Sequence, residues 1–128
     1  MRTVYTIAVK RARILVVDDE RASVEIIARI LSAHGHDIVG AGSSEEALEL
    51  LSLASFDLVL LDLVLPGMTG LQALAKMKPL TKAPVHIMTG QTDEETKKDS
   101  LMLGASGFLP KPLDLKDIVA LIDALPPR

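Results

Sequence analysis

Three carboxylates in this chain stand where apolar runs stop. Asp62 closes the run Phe56-Asp57-Leu58-Val59-Leu60-Leu61-Asp62, and Pro66-Gly67 follow within a few residues. Asp18 and Asp19 end a second run, Arg13-Ile14-Leu15-Val16-Val17. A carboxylate where a buried strand runs out is placed for chemistry, and a cluster of them suggests a cation site, a phosphoryl acceptor, or both. Brought close together the three would repel one another, and a hard divalent cation such as Mg2+ is the simplest relief. Asp62 would keep one carboxylate oxygen for attack on phosphorus, while Lys111 supplies a cation to offset the charge growing on the transferring oxygens. Thr89 can donate its hydroxyl to a phosphoryl oxygen once the group has arrived.

For these residues to meet, the segments carrying them must end on one side of the molecule. The chain alternates short apolar runs with longer amphipathic ones. Strands are expected at 14–17, 37–41, 58–61, 85–88 and 107–109, and the unbroken apolar character of 58–61 says that both of its faces are covered. Helices are expected at 22–31, from Ser43 onward, at 70–77, at 93–103 and at 113–125. In the first, Ile26, Ile27, Ile30 and Leu31 share a face; in the second, Leu48, Leu51 and Leu53 supply the apolar side, with Ser43 and Glu46 as a capping box. Leu115, Ile118, Val119 and Ile122 make the apolar face of the last. Five such alternations with short loops make an open α/β sheet with helices on both sides and right-handed crossovers. Ligands of such sheets gather at the carboxyl ends of the strands, where Asp18, Asp19, Asp62, Thr89 and Lys111 all fall.

The composition excludes several function classes. At 128 residues the chain is one domain with room for a real core, and without cysteine it can make neither disulfides nor thiolate chemistry. That absence agrees with a reducing, cytoplasmic setting. A net charge of -3 and no long basic block argue against nucleic-acid binding by this domain, and no apolar stretch approaches a membrane span. Neither the spaced glycine triad nor the glycine-lysine-serine ending of nucleotide-binding loops occurs. The opening residues 1–12 read as a flexible leader or an added edge strand rather than a signal peptide, and 126–128 as a tail or the first residues of a linker.

The ordered set Val17-Asp18-Asp19-Glu20, Asp62-Leu63-Val64-Leu65-Pro66-Gly67 with Gly70, Met88-Thr89-Gly90 and Lys111-Pro112 resembles the receiver domain of two-component response regulators over 13–125. The resemblance implies a doubly wound, flavodoxin-like, five-stranded parallel sheet in the order 2-1-3-4-5. It implies a regulatory phosphoacceptor rather than an enzyme: Asp62 takes a phosphoryl group from a sensor histidine kinase or histidine phosphotransfer protein. Asp18, Asp19 and the Val64 carbonyl would join Asp62 in holding Mg2+, with Asp19 the more direct ligand, Lys111 would pair with the phosphoryl group, and the Lys111-Pro112 bond would be cis. Thr89 and Phe108 would relay the change to the fourth helix, fifth strand and fifth helix, where partners or a phosphorylation-dependent homodimer would form. Phe108 lacks the hydroxyl of the tyrosine common there. Val64 and Gln91 would tune phosphoryl lifetime, and apolar Val64 predicts slow self-dephosphorylation.

Two rival readings are a receiver-like binding module that takes no phosphate and a small Mg2+-dependent phosphohydrolase with an aspartyl nucleophile. The complete set of five site residues argues against the first. The second needs an added acid or base and a substrate-covering insertion, for which the short loops leave little room. Plainer roles are also open: Asp18 or Asp19 capping the first helix, Phe56, Met88 and Met102 as core, Lys97 and Lys98 as a wetted face or partner contact, and His34, His36 and His86 as structural residues.

Overall fold

A computed structural model describes residues 11–65, 67–90 and 93–126. Residues 1–10 of the leader, Pro66, Gln91, Thr92 and the last two residues of the tail lie outside the described residues. Five strands, β1 (Arg13–Val17), β2 (Asp37–Ala41), β3 (Leu58–Asp62), β4 (Val85–Thr89) and β5 (Gly107–Pro110), alternate with α1 (Arg21–Ala33), α2 (Ser44–Leu53), α3 (Gly70–Met77), α4 (Glu94–Met102) and α5 (Leu115–Asp123). The strands form one parallel sheet in the order β2-β1-β3-β4-β5. This is the expected doubly wound topology.

Alternation along each strand divides the core into two layers. On one face Leu15, Val17, Val59, Leu61, Val85 and Ile87 pack with Ala47 and Leu51 of α2 and Ala73, Leu74 and Met77 of α3. On the other, Ile14, Val16, Leu58, Leu60 and Met88 pack with Leu31 of α1 and Ile118 and Ile122 of α5. All five residues of β3 are buried, as its continuous apolar run requires. Its last residue is Asp62 itself, so the carboxylate belongs to the strand rather than to the loop after it.

Several local expectations need correction. Of the four apolar residues assigned to the inner face of α1 only Leu31 is buried; Ile27 is half-buried, while Ile26 is 60% exposed and Ile30 is at the surface. The stripe is too wide for the narrow contact α1 makes with the sheet. Leu53, at the end of α2, and Met102, at the end of α4, are also exposed, because each falls in the last turn, beyond the sheet. The Ser43 hydroxyl accepts from the Glu46 N–H at 3.1 Å as a cap should, but Glu46 Oε2 takes the N–H of Gly42 at 3.0 Å rather than that of Ser43. The fully reciprocal capping box is at α3, between Thr69 and Gln72. Among the described residues no helix is long and apolar enough to cross a membrane.

Candidate functional site

Parallel pairing sets the height of each site residue. Val17 pairs with Leu61 across β1 and β3, so Asp18 and Asp62 emerge from adjacent strands at nearly the same level. Asp62 pairs with Met88, which puts Thr89 one residue further along the adjoining strand. Thr89 pairs in turn with Pro110, and the Thr89 carbonyl accepts from the Lys111 N–H at 2.9 Å. Four strand ends thus converge, as the topology demands.

The carboxylates are held individually. Asp18 is 3% exposed; its N–H reaches the Ala41 carbonyl at 3.0 Å, and its Oδ1 accepts from the Glu20 N–H at 3.0 Å. Neither Asp18 nor Asp19 caps α1: the capping position is Glu20, which makes no side-chain cap bond. Asp62 is 6% exposed and its Oδ1 accepts from the Val64 N–H at 2.9 Å. Val64 itself is 81% exposed at the mouth of the site. Asp19 is exposed, and one carboxylate oxygen from each of Asp18, Asp19 and Asp62 lies within 4.8 Å of the others. Three hard oxygen donors this close, one of them open to water, fit a hydrated Mg2+.

Lys111 completes the cluster. Its ammonium donates to Asp62 Oδ2 at 2.8 Å and to Asp18 Oδ2 at 3.0 Å, and the peptide bond to Pro112 is cis. Burial by itself would lower the pKa of this lysine, but the hydrogen bonds and charges of the two aspartates outweigh it and hold the ammonium above its usual range. Beside it a hollow of about 420 Å3, lined by Ser23, Ile26 and Ile27 of α1 and by Pro112 and Leu113, opens against Asp18 and Lys111.

The loop after Asp62 is set by two glycines. Gly67 has φ +80, where a side chain would be strained. A Cβ on Gly70 would lie 2.4 Å from the Leu63 Cα, and the Gly70 N–H donates to the Leu63 carbonyl at 3.2 Å. The first turn of α3 therefore sits directly on the backbone that follows the carboxylate.

Phe108 lies apart from this cluster, in β5 beside Ile87, half-buried against the α2/α3 side of the core. The Lys97 ammonium sits 6.0 Å from the centre of its ring, a contact between α4 and β5 that nothing in the local sequence signals. Phe56 is core, as expected, and also carries the Arg13 guanidinium 5.3 Å from its ring centre. His34 ends α1 with its Nδ1 2.9 Å from the Ile30 carbonyl. His86 is half-buried in β4, its ring 3.0 Å from where a Gly107 Cβ would stand.

Comparison with known proteins agrees with this fold. The family model for the response regulator receiver domain matches residues 14–123. The transcriptional regulatory protein YvrH of Bacillus subtilis is 33% identical over 116 residues, which are 90% of this chain and 49% of that protein. The chain spans about half the length of the curated relatives it matches. A two-component response regulator from Clostridium difficile superposes with a TM-score of 0.84 at 26% identity, over 88% of this chain and 93% of that one. A response regulator from Burkholderia pseudomallei, solved with a phosphorylated aspartic acid, a calcium ion and citrate, gives 0.82 at 28% identity over 88% and 66%. On its sequence, its 2-1-3-4-5 sheet and these likenesses, the chain belongs to the response regulator receiver domain family, the signalling switches of two-component systems.

Proposed function

We propose that Asp62 is the phosphoacceptor of this switch. The observation that carries the reading is the bridge from Lys111 to both Asp62 and Asp18 at the end of the fully buried strand β3. One Asp62 carboxylate oxygen attacks the phosphorus of a phosphohistidine on a sensor kinase or phosphotransfer protein; the P–N bond breaks, the imidazole leaves, and an aspartyl phosphate forms. Lys111, already at hydrogen-bond distance from Asp62, follows the transferring oxygens and offsets their charge. Asp18, Asp19, Asp62 and the Val64 carbonyl would hold Mg2+, which when bound supplies further neutralisation of the phosphoryl group. In the similar Burkholderia pseudomallei protein a phosphorylated aspartic acid and a calcium ion occur in one structure, which supports the pairing of cation and phosphoryl group.

The hollow formed by α1 and the segment after Lys111 suits the approach of the donor, since Ile26 there is an exposed apolar residue next to the charged cluster. Thr89, moving toward the new oxygens, vacates space for Phe108, and the change passes to α4, β5 and α5, where a partner or a second copy of the chain would read it. The whole regulators that the relatives represent suggest that such a reader includes a separate output domain.

The test is to incubate the protein with Mg2+ and acetyl phosphate and follow its intact mass. A labile gain of one phosphoryl group, absent in Asp62→Ala and absent when Mg2+ is chelated, supports the reading. No gain in the parent protein would favour the binding module that takes no phosphate.

A further inference from the structure

At the end of the sheet opposite the acidic cluster, other segments fasten the start of β1. Three successive residues, two leading into β1 and its first, are tied by other segments. Arg11 Nε donates to the Gly35 carbonyl at 3.1 Å, the Ala12 N–H to His36 Nδ1 at 3.1 Å, and the Arg13 N–H to Asp57 Oδ2 at 2.7 Å. The middle tie depends on protonation state. A ring nitrogen accepts only while it carries no proton, so this bond fixes His36 as a neutral imidazole with its hydrogen on Nε2. Ala12 is 3% exposed, so its N–H has little access to water if that acceptor is lost.

We propose that His36 is an acid-released latch: protonating its ring turns the acceptor of the Ala12 N–H into a donor and removes that tie between the lead-in to β1 and the turn between α1 and β2, leaving the Arg11 tie to Gly35 in place. The neighbouring charges are mixed. Arg11, in the same lead-in, and His34, across Gly35, both disfavour a charge on the ring, whereas Asp123 of α5 favours one. Arg13 and Asp37 line the same hollow, with Ser32 of α1 as its uncharged polar wall. Burial is the largest influence, and the balance keeps His36 below the ordinary histidine value of 6.5. A lowered native value means that the released form takes up the proton more readily. The latch is therefore closed at neutral pH and opens as pH falls below that value.

Release is confined to the lead-in, because the next ties do not involve the ring. The Ala12 carbonyl accepts from the Asp37 N–H at 2.9 Å and the Arg13 carbonyl from the Asp57 N–H at 2.7 Å. β1 therefore stays in the sheet while its start opens, a local event rather than global unfolding. The latch is independent of Asp62 and of phosphoryl transfer.

The test is amide exchange followed by NMR on the whole chain, with the His36 ring titrated in the same samples. The Ala12 protection factor should fall in step with His36 protonation, by about tenfold for each unit separating the native and released values, while Leu15 and Val16 keep theirs. His36→Asn places an amide oxygen near the Nδ1 position without a titrating group; it should protect Ala12 at neutral pH and remove the acid dependence. His36→Phe should leave Ala12 unprotected throughout, and His34→Asn should retain the dependence. Ala12 protection that ignores the His36 titration, or an acid dependence that survives in His36→Asn, would overturn the proposal.

Discussion

Lys111 and Asp62 meet at 2.8 Å across the ends of β5 and β3, with Asp18 3.0 Å from the same ammonium. The lysine thus bridges two buried carboxylates with one positive charge. Replacing it with methionine leaves them facing each other. Breaking a buried pair costs about 3–5 kcal/mol, but Lys111 is 29% exposed and solvent screening reduces this to about 1–2 kcal/mol. Urea unfolding of Lys111→Met at neutral pH, without divalent ions, should report that loss. Because the native lysine value is raised, the bridge's contribution is present below the ordinary value of 10.5 and disappears only as pH rises through the higher native one.

With Asp62 as the proposed phosphoacceptor, Val64 should tune the lifetime of the aspartyl phosphate. Its side chain is exposed at the mouth of the site and offers water no hydrogen bond. Val64→Asn adds a group able to position the attacking water, an interaction worth about 1 kcal/mol, so decay should quicken roughly fivefold. The check is the decay of phosphorylated protein followed by intact mass; equal or slower decay in the variant would remove Val64 from this role.

Gly70→Ala should damage both stability and phosphorylation. The added Cβ meets the Leu63 Cα at 2.4 Å, and neither backbone can move without shifting the segment after Asp62. Overpacking of this kind costs about 1–3 kcal/mol. Urea midpoints and acetyl phosphate uptake, measured on the same preparations, should fall together.

His86 makes stability depend on pH from the other side of the sheet. Burial lowers its native value, so the unfolded chain binds the proton more readily and stability falls as pH drops below the ordinary 6.5. His36 adds to this with the same sign. The urea midpoint should therefore fall between about pH 7.5 and about pH 5.5, and by less in His86→Leu. An identical fall in both proteins would show that the half-buried imidazole is not its source.

Thr89→Val separates storage of the phosphoryl group from its transmission. Valine matches threonine in size but lacks the hydroxyl, so Asp62 should still be phosphorylated in Mg2+ while the accompanying NMR shifts at Phe108 and along α4 are lost. Full shifts at Phe108 in the variant would mean that the relay does not need that hydroxyl.

The strand layout was legible because apolar runs bounded by charge and glycine are a direct record of burial: β2 and α3 match their expected spans, and β3 and β4 each gained only their terminal residue. The cluster of Asp18, Asp19, Asp62 and Lys111 was legible for a related reason, since parallel topology collects the residues at and just past the strand ends. The helix faces were read less well. Ile26 and Ile30 fit the period of an inner stripe but look outward, since period alone does not tell how much of a helix its neighbours cover. Ties between segments distant in sequence had no local signal at all, such as Lys97 over Phe108 or the Ala12 N–H on His36.

The position of Asp62 at the last place of β3 has a mechanical meaning. β3 has a hydrogen-bonded neighbour on each side and a packed layer above and below, so its carboxyl end is among the stiffest points of the molecule. A group attached there cannot be accommodated by yielding of the support. The displacement has to be taken up by the softer rim, the helices and turns around the strand ends.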